Sequence, residues 1–141
     1  MSRPISFRWL GAAGVEITAD DGTLTIDPFF TRPPFWRLWI GRVRPNRELT
    51  ARTIRRCDWC LVTHAHWDHV MDVPDVADLT GAQVIGSPNV CRLLTACGVP
   101  QAQITQARPG DVFSLGVFEV EVLSGEHVPV PGFGPGLLPA R

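Results

Sequence analysis

The stretch Thr63-His64-Ala65-His66-Trp67-Asp68-His69 places three imidazoles and one carboxylate within six residues, using three of the chain's four histidines. Nitrogen and oxygen donors of these types suit zinc, and other first-row metals less specifically. Packing does not account for the cluster, because His and Asp contribute little to a core and cost free energy when buried without partners. The chemistry it could support is metal binding and metal-assisted reaction of a substrate.

Such a cluster needs a rigid support. Before it, Trp59-Cys60-Leu61-Val62-Thr63 is mostly apolar and β-prone, the pattern of a buried strand. After it, Val73, Val76, Ala77 and Thr80 recur at helical spacing, with Asp72 as a cap, Pro74 in the first turn and Gly81 at the end. The cluster is therefore expected on a strand-to-helix loop, where a scaffold displays binding groups. His64 and His66, two apart in extended chain, point the same way. Asp68 and His69 follow round the turn.

The rest of the chain offers alternating strands and short helices. Ile5, Phe7 and Trp9 alternate with Ser6 and Arg8, predicting a half-buried strand. Val15 and Ile17, then Leu24 and Ile26, flank Asp20-Asp21-Gly22, a hairpin signal. Asn46 caps a short helix carrying Leu49 and Ile54. Gln83 to Ile85 reads as a strand, and Ser87-Pro88 opens a helix with Val90, Leu93, Leu94 and Cys97 on one stripe, closed by Gly98 and Pro100. Ile104 to Ala107, Val112 to Leu115 and Val117 to Leu123 read as strands. The order predicts a single α/β domain over residues 1–141, a mixed sheet covered by helices. Two segments are irregular. Residues 29–46 interleave Arg32, Phe35, Trp36, Arg37 and Trp39; they read either as a substrate- or lipid-facing lip or as a loop packed over the sheet edge. Residues 128–141 are rich in Pro and Gly, a loop or tail.

Composition narrows the function classes. A length of 141 residues suits one domain with a real core, and 45% hydrophobic with 19% charged residues is ordinary for a globular protein. A net charge of −1 gives no electrostatic case for nucleic acid or an acidic membrane surface. All 13 basic residues are Arg, which excludes a lysine nucleophile or Schiff base. No stretch approaches the ~20 apolar residues of a membrane span, and no secretory leader is visible, so a cytoplasmic protein is expected. Cys57, Cys60, Cys91 and Cys97 fit reduced thiols better than a disulfide scaffold. Cys57-Asp58-Trp59-Cys60 reads as a redox or zinc pair, or as two small buried hydrophobes entering a strand; the second fits better, since no matching second pair exists.

His64-x-His66-x-Asp68-His69 resembles the HxHxDH motif of the metallo-β-lactamase-fold hydrolases. Trp9-Leu10-Gly11-Ala12-Ala13-Gly14 resembles that family's opening strand and turn, and Thr25-Ile26-Asp27-Pro28-Phe29 its strand ending in an Asp beneath the metal loop. His127 falls where the family's next metal-binding His is expected, and the broad branch of lactonases and phospholipase-D-like hydrolases is the most similar. The resemblance implies an αββα sandwich, here its N-terminal half, with a mixed sheet and helices on one face. It implies one or two zinc ions, with manganese or iron as alternatives. His64, His66 and His127 would form a first site that leaves a position for water. Asp68 and His69 would begin a second site. Asp68 would also hold the attacking water and pass a proton to the leaving group. Asp27 would orient a ligand imidazole, with Thr63 doing likewise through its hydroxyl.

One departure matters. The family's later half supplies a bridging Asp, a final His and a second sheet, whereas this chain has no His after His127 and no Asp after Asp111. The expectation is a zinc-dependent hydrolase using a metal-bound hydroxide on an ester, lactone or phosphodiester, with a small-molecule or lipid-like substrate. The alternative is a non-catalytic or degenerate metal-binding fragment that needs a homo-oligomeric partner or a missing C-terminal half. Either way, one apolar sheet face is left to cover.

Overall fold

The computed structural model describes residues 4–20, 22–34, 36–37 and 43–125. His127, Glu126, the 128–141 tail, Phe35 and Trp39 lie outside the described residues.

Six strands form one sheet in the order β1 (Ser6–Gly11), β2 (Gly14–Ala19), β3 (Gly22–Ile26), β4 (Trp59–Val62), β5 (Gln83–Gly86) and β6 (Ile104–Gln106). The first three strands are antiparallel, and β3 through β6 run parallel. The expected hairpin forms at Asp20, which adopts φ 51° and lets Ala19 pair with Gly22. Parallel neighbours need crossovers, and helices supply them. They are α1 (Arg47–Thr53), α2 (Trp67–Val70), α3 (Val73–Thr80) and α4 (Pro88–Ala96). The Asn46 side chain accepts from Leu49 N at 3.1 Å to cap α1, and Ser87 caps α4 through Val90 N. Gly81 (φ 74°) and Gly98 (φ 88°) end α3 and α4 in the left-handed conformation that glycine adopts without penalty.

Strand pairing aligns residues of one face across the sheet. Arg8, Glu16, Thr25, Cys60, Val84 and Ile104 share the first face. The helices pack there: Val73, Val76, Ala77, Val90 and Leu94 close over Cys60, Val62 and Val84, all buried. Phe7, Ile17, Leu24 and Trp59 share the second face, as do Trp9, Val15, Ile26, Leu61 and Ile85. A hairpin of β7 (Val112–Leu115) and β8 (Phe118–Glu121) covers part of it, burying Leu24, Ile85 and Leu115 with Trp59 edge-on to Phe118 at 6.1 Å. The final strand starts later than expected because Gly116 (φ 62°) and Val117 form its turn.

One expectation is corrected. The apolar residues of β1 are not half-buried: Ile5, Phe7 and Trp9 are 73%, 67% and 72% exposed. β1 is an edge strand, and the hairpin reaches only the β3–β5 part of the face. The predicted α/β class, mixed sheet and one-sided helices are all observed.

Candidate metal centre

The histidine cluster leaves the end of β4 and enters α2, a single turn whose first amides are accepted by His66 O (His69 N at 3.0 Å, Val70 N at 3.1 Å). Asp27 directly follows the neighbouring strand β3. This buried residue adopts φ 44°, uncommon for a residue with a side chain, and donates its N–H to Leu61 O at 2.9 Å. The turn aims its carboxylate at the loop after β4. Oδ1 accepts from Thr63 N at 2.8 Å and Oδ2 accepts from Thr63 Oγ1 at 2.6 Å.

That pair of bonds sets the state of the first imidazole. A carboxylate can only accept, so the Thr63 hydroxyl proton is spent on Asp27. Thr63 Oγ1, 2.9 Å from His64 Nδ1, then accepts from that nitrogen. The proton therefore sits on Nδ1 and the lone pair on Nε2, the tautomer a metal ligand needs.

The rings of His64 and His66 lie 4.6 Å apart between centroids, at 76°. Two imidazoles sharing one ion through ~2.1 Å bonds would sit roughly this far apart. His64 and His69 are closer, at 3.9 Å. His69 Nδ1 is buried 2.8 Å from Asp27 Oδ2, yet the direction of approach forms no hydrogen bond. His69 Nε2 lies 3.8 Å from Asp68 Oδ2. The structure thus brings His64, His66 and His69 together with Asp68 at the side, while His127 lies outside the described residues. Among the described residues, no three His, Cys, Asp or Glu side chains close around a single point. The donor chemistry and the His64 tautomer fit a metal; the ligand set is incomplete without a further donor.

Asp72 occupies the cap position that the sequence assigns it, but its side chain has a different task. It stands at the start of α3, but its side chain makes no capping bond there. Fully buried, it accepts instead from Phe30 N at 2.6 Å, Thr31 N at 2.7 Å and Thr31 Oγ1 at 2.6 Å. Thr31 Oγ1 in turn accepts from Asn46 N at 2.6 Å. Cap and anchor call for the same residue type, so only the complete burial of Asp72 could have separated them. The irregular segment accordingly divides. Residues 29–31 are buried, with Phe29 edge-on to Trp67 at 5.5 Å, as a packed loop requires. Trp36 is 57% exposed with the Arg37 guanidinium 5.3 Å over its ring.

Cys57 and Cys60 enter the sheet as two buried side chains. All four cysteines are free, and these two are buried. A hydrogen bond from the Cys60 thiol lowers the Cys57 pKa, while that same bond, with burial, pushes Cys60 well above the ordinary thiol range. Cys57 Sγ also lies 3.1 Å from Thr25 Oγ1 and donates to Trp59 O at 3.2 Å.

The chain is similar to known proteins in sequence and in fold. The sequence profile of the metallo-beta-lactamase superfamily matches residues 14–140. A UPF0173 metal-dependent hydrolase of Cupriavidus taiwanensis is 38% identical over 112 residues, covering 77% of this chain and 36% of that protein. Another from Pyrobaculum arsenaticum is 29% identical over 112 residues, covering 79% of this chain and 45% of the relative. The chain spans less than half the length of these two relatives. Among solved structures, the metallo hydrolase Igni18 of Ignicoccus hospitalis has a TM-score of 0.58 at 23% identity, over 79% of this chain and 42% of that one. The diiron β-hydroxylase CmlA of Streptomyces venezuelae has a TM-score of 0.61 at 20% identity, over 88% of this chain and 24% of that one. These two likenesses show the shared fold.

Proposed function

Because the chain belongs to the metallo-beta-lactamase superfamily, we propose that it is the metal-binding part of a metal-dependent hydrolase acting on an ester, lactone or phosphodiester. The observation that carries this reading is the Asp27–Thr63–His64 relay, which fixes one imidazole with its Nε2 lone pair beside His66 and His69. A polar loop with no ligand to hold would have no use for a buried carboxylate committed to one histidine tautomer. The relatives named as metal-dependent hydrolases support the same chemistry.

In this reading His64, His66 and His127 hold the first ion, and Asp68 with His69 begins a second site. Zinc suits the donors; manganese and iron accept similar sets. The ion would polarise the substrate's oxygen and bring the pKa of a water molecule down to roughly 7. Asp27 and Thr63 hold the His64 proton on Nδ1. Asp68, exposed enough to reach a reactant, orients the attacking water and passes a proton to the leaving group. The substrate is a small or lipid-like molecule, taken up beside the exposed Trp36 and Trp67 rings. Four free thiols suit a reducing compartment, and we place the protein in the cytoplasm. Among the described residues, no helix is long and apolar enough to cross a membrane.

A second reading is favoured by the incomplete ligand set and the open apolar face of β1. It makes the chain a metal-binding module that acts only with a second copy or a C-terminal half. Elemental analysis, with ester hydrolysis before and after chelation, separates the two. Wild type should carry metal and lose activity on chelation. His66→Ala should lose metal, and Asp68→Ala should lose at least about 100-fold in rate. A chain without metal, or activity that survives both substitutions, would sink the hydrolase reading. Metal without hydrolysis would favour the module.

A further inference from the structure

We propose that Arg32 recognises a negatively charged oxygen group, phosphate or carboxylate, on the substrate of this site; the inference rests on the hydrolase reading and narrows its substrate to an anionic ester. The position follows from a chain of contacts. A Cβ placed on Gly11 would collide with Arg32 Nη2, so the guanidinium lies directly against that backbone. Gly11 pairs with Gly14, and a Cβ on Gly14 would come within 3.1 Å of Asp27 O. Asp27 holds Thr63 and lies 2.8 Å from His69 Nδ1. Arg32 therefore sits at the same end of the sheet as the histidine cluster, across the β1–β2 turn from it.

Its surroundings leave the charge available. Arg32 is exposed, and among the described residues it has neither an ion pair nor a hydrogen bond, unlike Arg8, Arg47, Arg52 and Arg56, which each pair with a carboxylate. A guanidinium offers five donors in a planar fork that matches two oxygens of a phosphate or carboxylate. Its backbone is also held. The preceding residue, Thr31, gives both its N–H and its hydroxyl to the fully buried Asp72, and Pro33 and Pro34 follow. A side chain launched from an anchored residue loses less freedom on binding than one on a mobile loop. Gly11, at φ 91°, is also the residue type that such a close approach requires. Phe29, buried on the same loop as Arg32, packs edge-on against the partly exposed Trp67 of α2, an apolar surface suited to the uncharged part of the molecule.

The test uses the metal-loaded 141-residue chain with three esters that share the p-nitrophenolate leaving group: bis(p-nitrophenyl) phosphate, mono-p-nitrophenyl succinate and neutral p-nitrophenyl acetate. Arg32→Gln should lower kcat/KM for an anionic ester relative to the acetate by about tenfold, chiefly through KM. Arg32→Lys should restore part of that ratio. Whether the phosphate or the succinate ratio falls identifies the anion. Ratios that stay within about twofold for both anionic esters, or a loss that the acetate shares in full, would overturn the assignment. Should wild type hydrolyse none of the three, the hydrolase reading fails and calorimetric titration with inorganic phosphate and with succinate decides the matter. Binding in wild type that Arg32→Gln abolishes keeps Arg32 as an anion site. Binding that is absent, or unchanged in the variant, overturns it.

Discussion

The two faces of the six-stranded sheet meet different fates. On one, α3 and α4 close over Cys60, Val62 and Val84 until nothing of them reaches solvent in quantity. On the other, the β7–β8 hairpin covers Leu24, Trp59, Leu61 and Ile85 and stops, leaving Phe7 and Trp9 bare. The difference bears on the site. The residues that fix His64 stand at strand ends between the faces, Asp27 just after β3 and Thr63 just after β4, while Asp72 at the start of α3 anchors the neighbouring loop. The cluster can be ordered while the domain around it is only partly covered.

The largest effect expected along this gradient is at Asp72. Replacing it with Ala would leave Phe30 N, Thr31 N and the Thr31 hydroxyl buried without an acceptor. The loss should be about 3–5 kcal/mol in urea unfolding. The loop at 28–34 should lose its seat on α3, and Trp67, packed on Phe29, should report this by fluorescence. A loss below about 1 kcal/mol would mean that water replaces the carboxylate and that the loop does not depend on it.

Trp59 tests the intermediate zone. It stands under the hairpin, edge-on to Phe118, and a Cβ on Gly116 would come within 2.7 Å of its ring. Trp59→Ala should cost about 2–3 kcal/mol, less than a fully enclosed aromatic because the ring is only half-buried. The damage should be local. Amides of β7 and β8 should exchange faster while those of β4 and β5 keep their protection. Uniform loss of protection would show that the hairpin and the helical face unfold as one unit.

The sequence was legible where a local rule and the tertiary structure demanded the same thing. The strand before His64, the Asn46 and Ser87 caps and the glycine stops are all decided within a few residues, and each stands where the sequence places it. The proximity of Asp27 to the metal loop was readable only through the family resemblance, because it depends on β3 and β4 being parallel neighbours. Asp72 stands at the cap position, but the sequence hides its side chain's partner because a cap and a loop anchor look alike. Strand β1 was misread for a similar reason. Alternation reports that a strand has an apolar side, and what lies against that side is decided by elements distant in the chain.

Trp9 marks the bare end of the gradient. Its ring is 72% exposed, and its one described polar contact is Nε1 donating to Ala12 O at 3.0 Å, across the turn that ends β1. With so little area to lose, Trp9→Ala should change stability by less than about 0.5 kcal/mol in the isolated chain, against the several lost at Asp72. The register of β1 against β2 does not depend on the ring, since five backbone pairs from Ser6–Thr18 to Gly11–Gly14 define it. Urea titration at two protein concentrations would check both points. A loss above about 1.5 kcal/mol, growing as the chain is concentrated, would mean that a second copy covers this strand in solution. The contrast between the two faces would then belong to the single chain and not to the assembled protein.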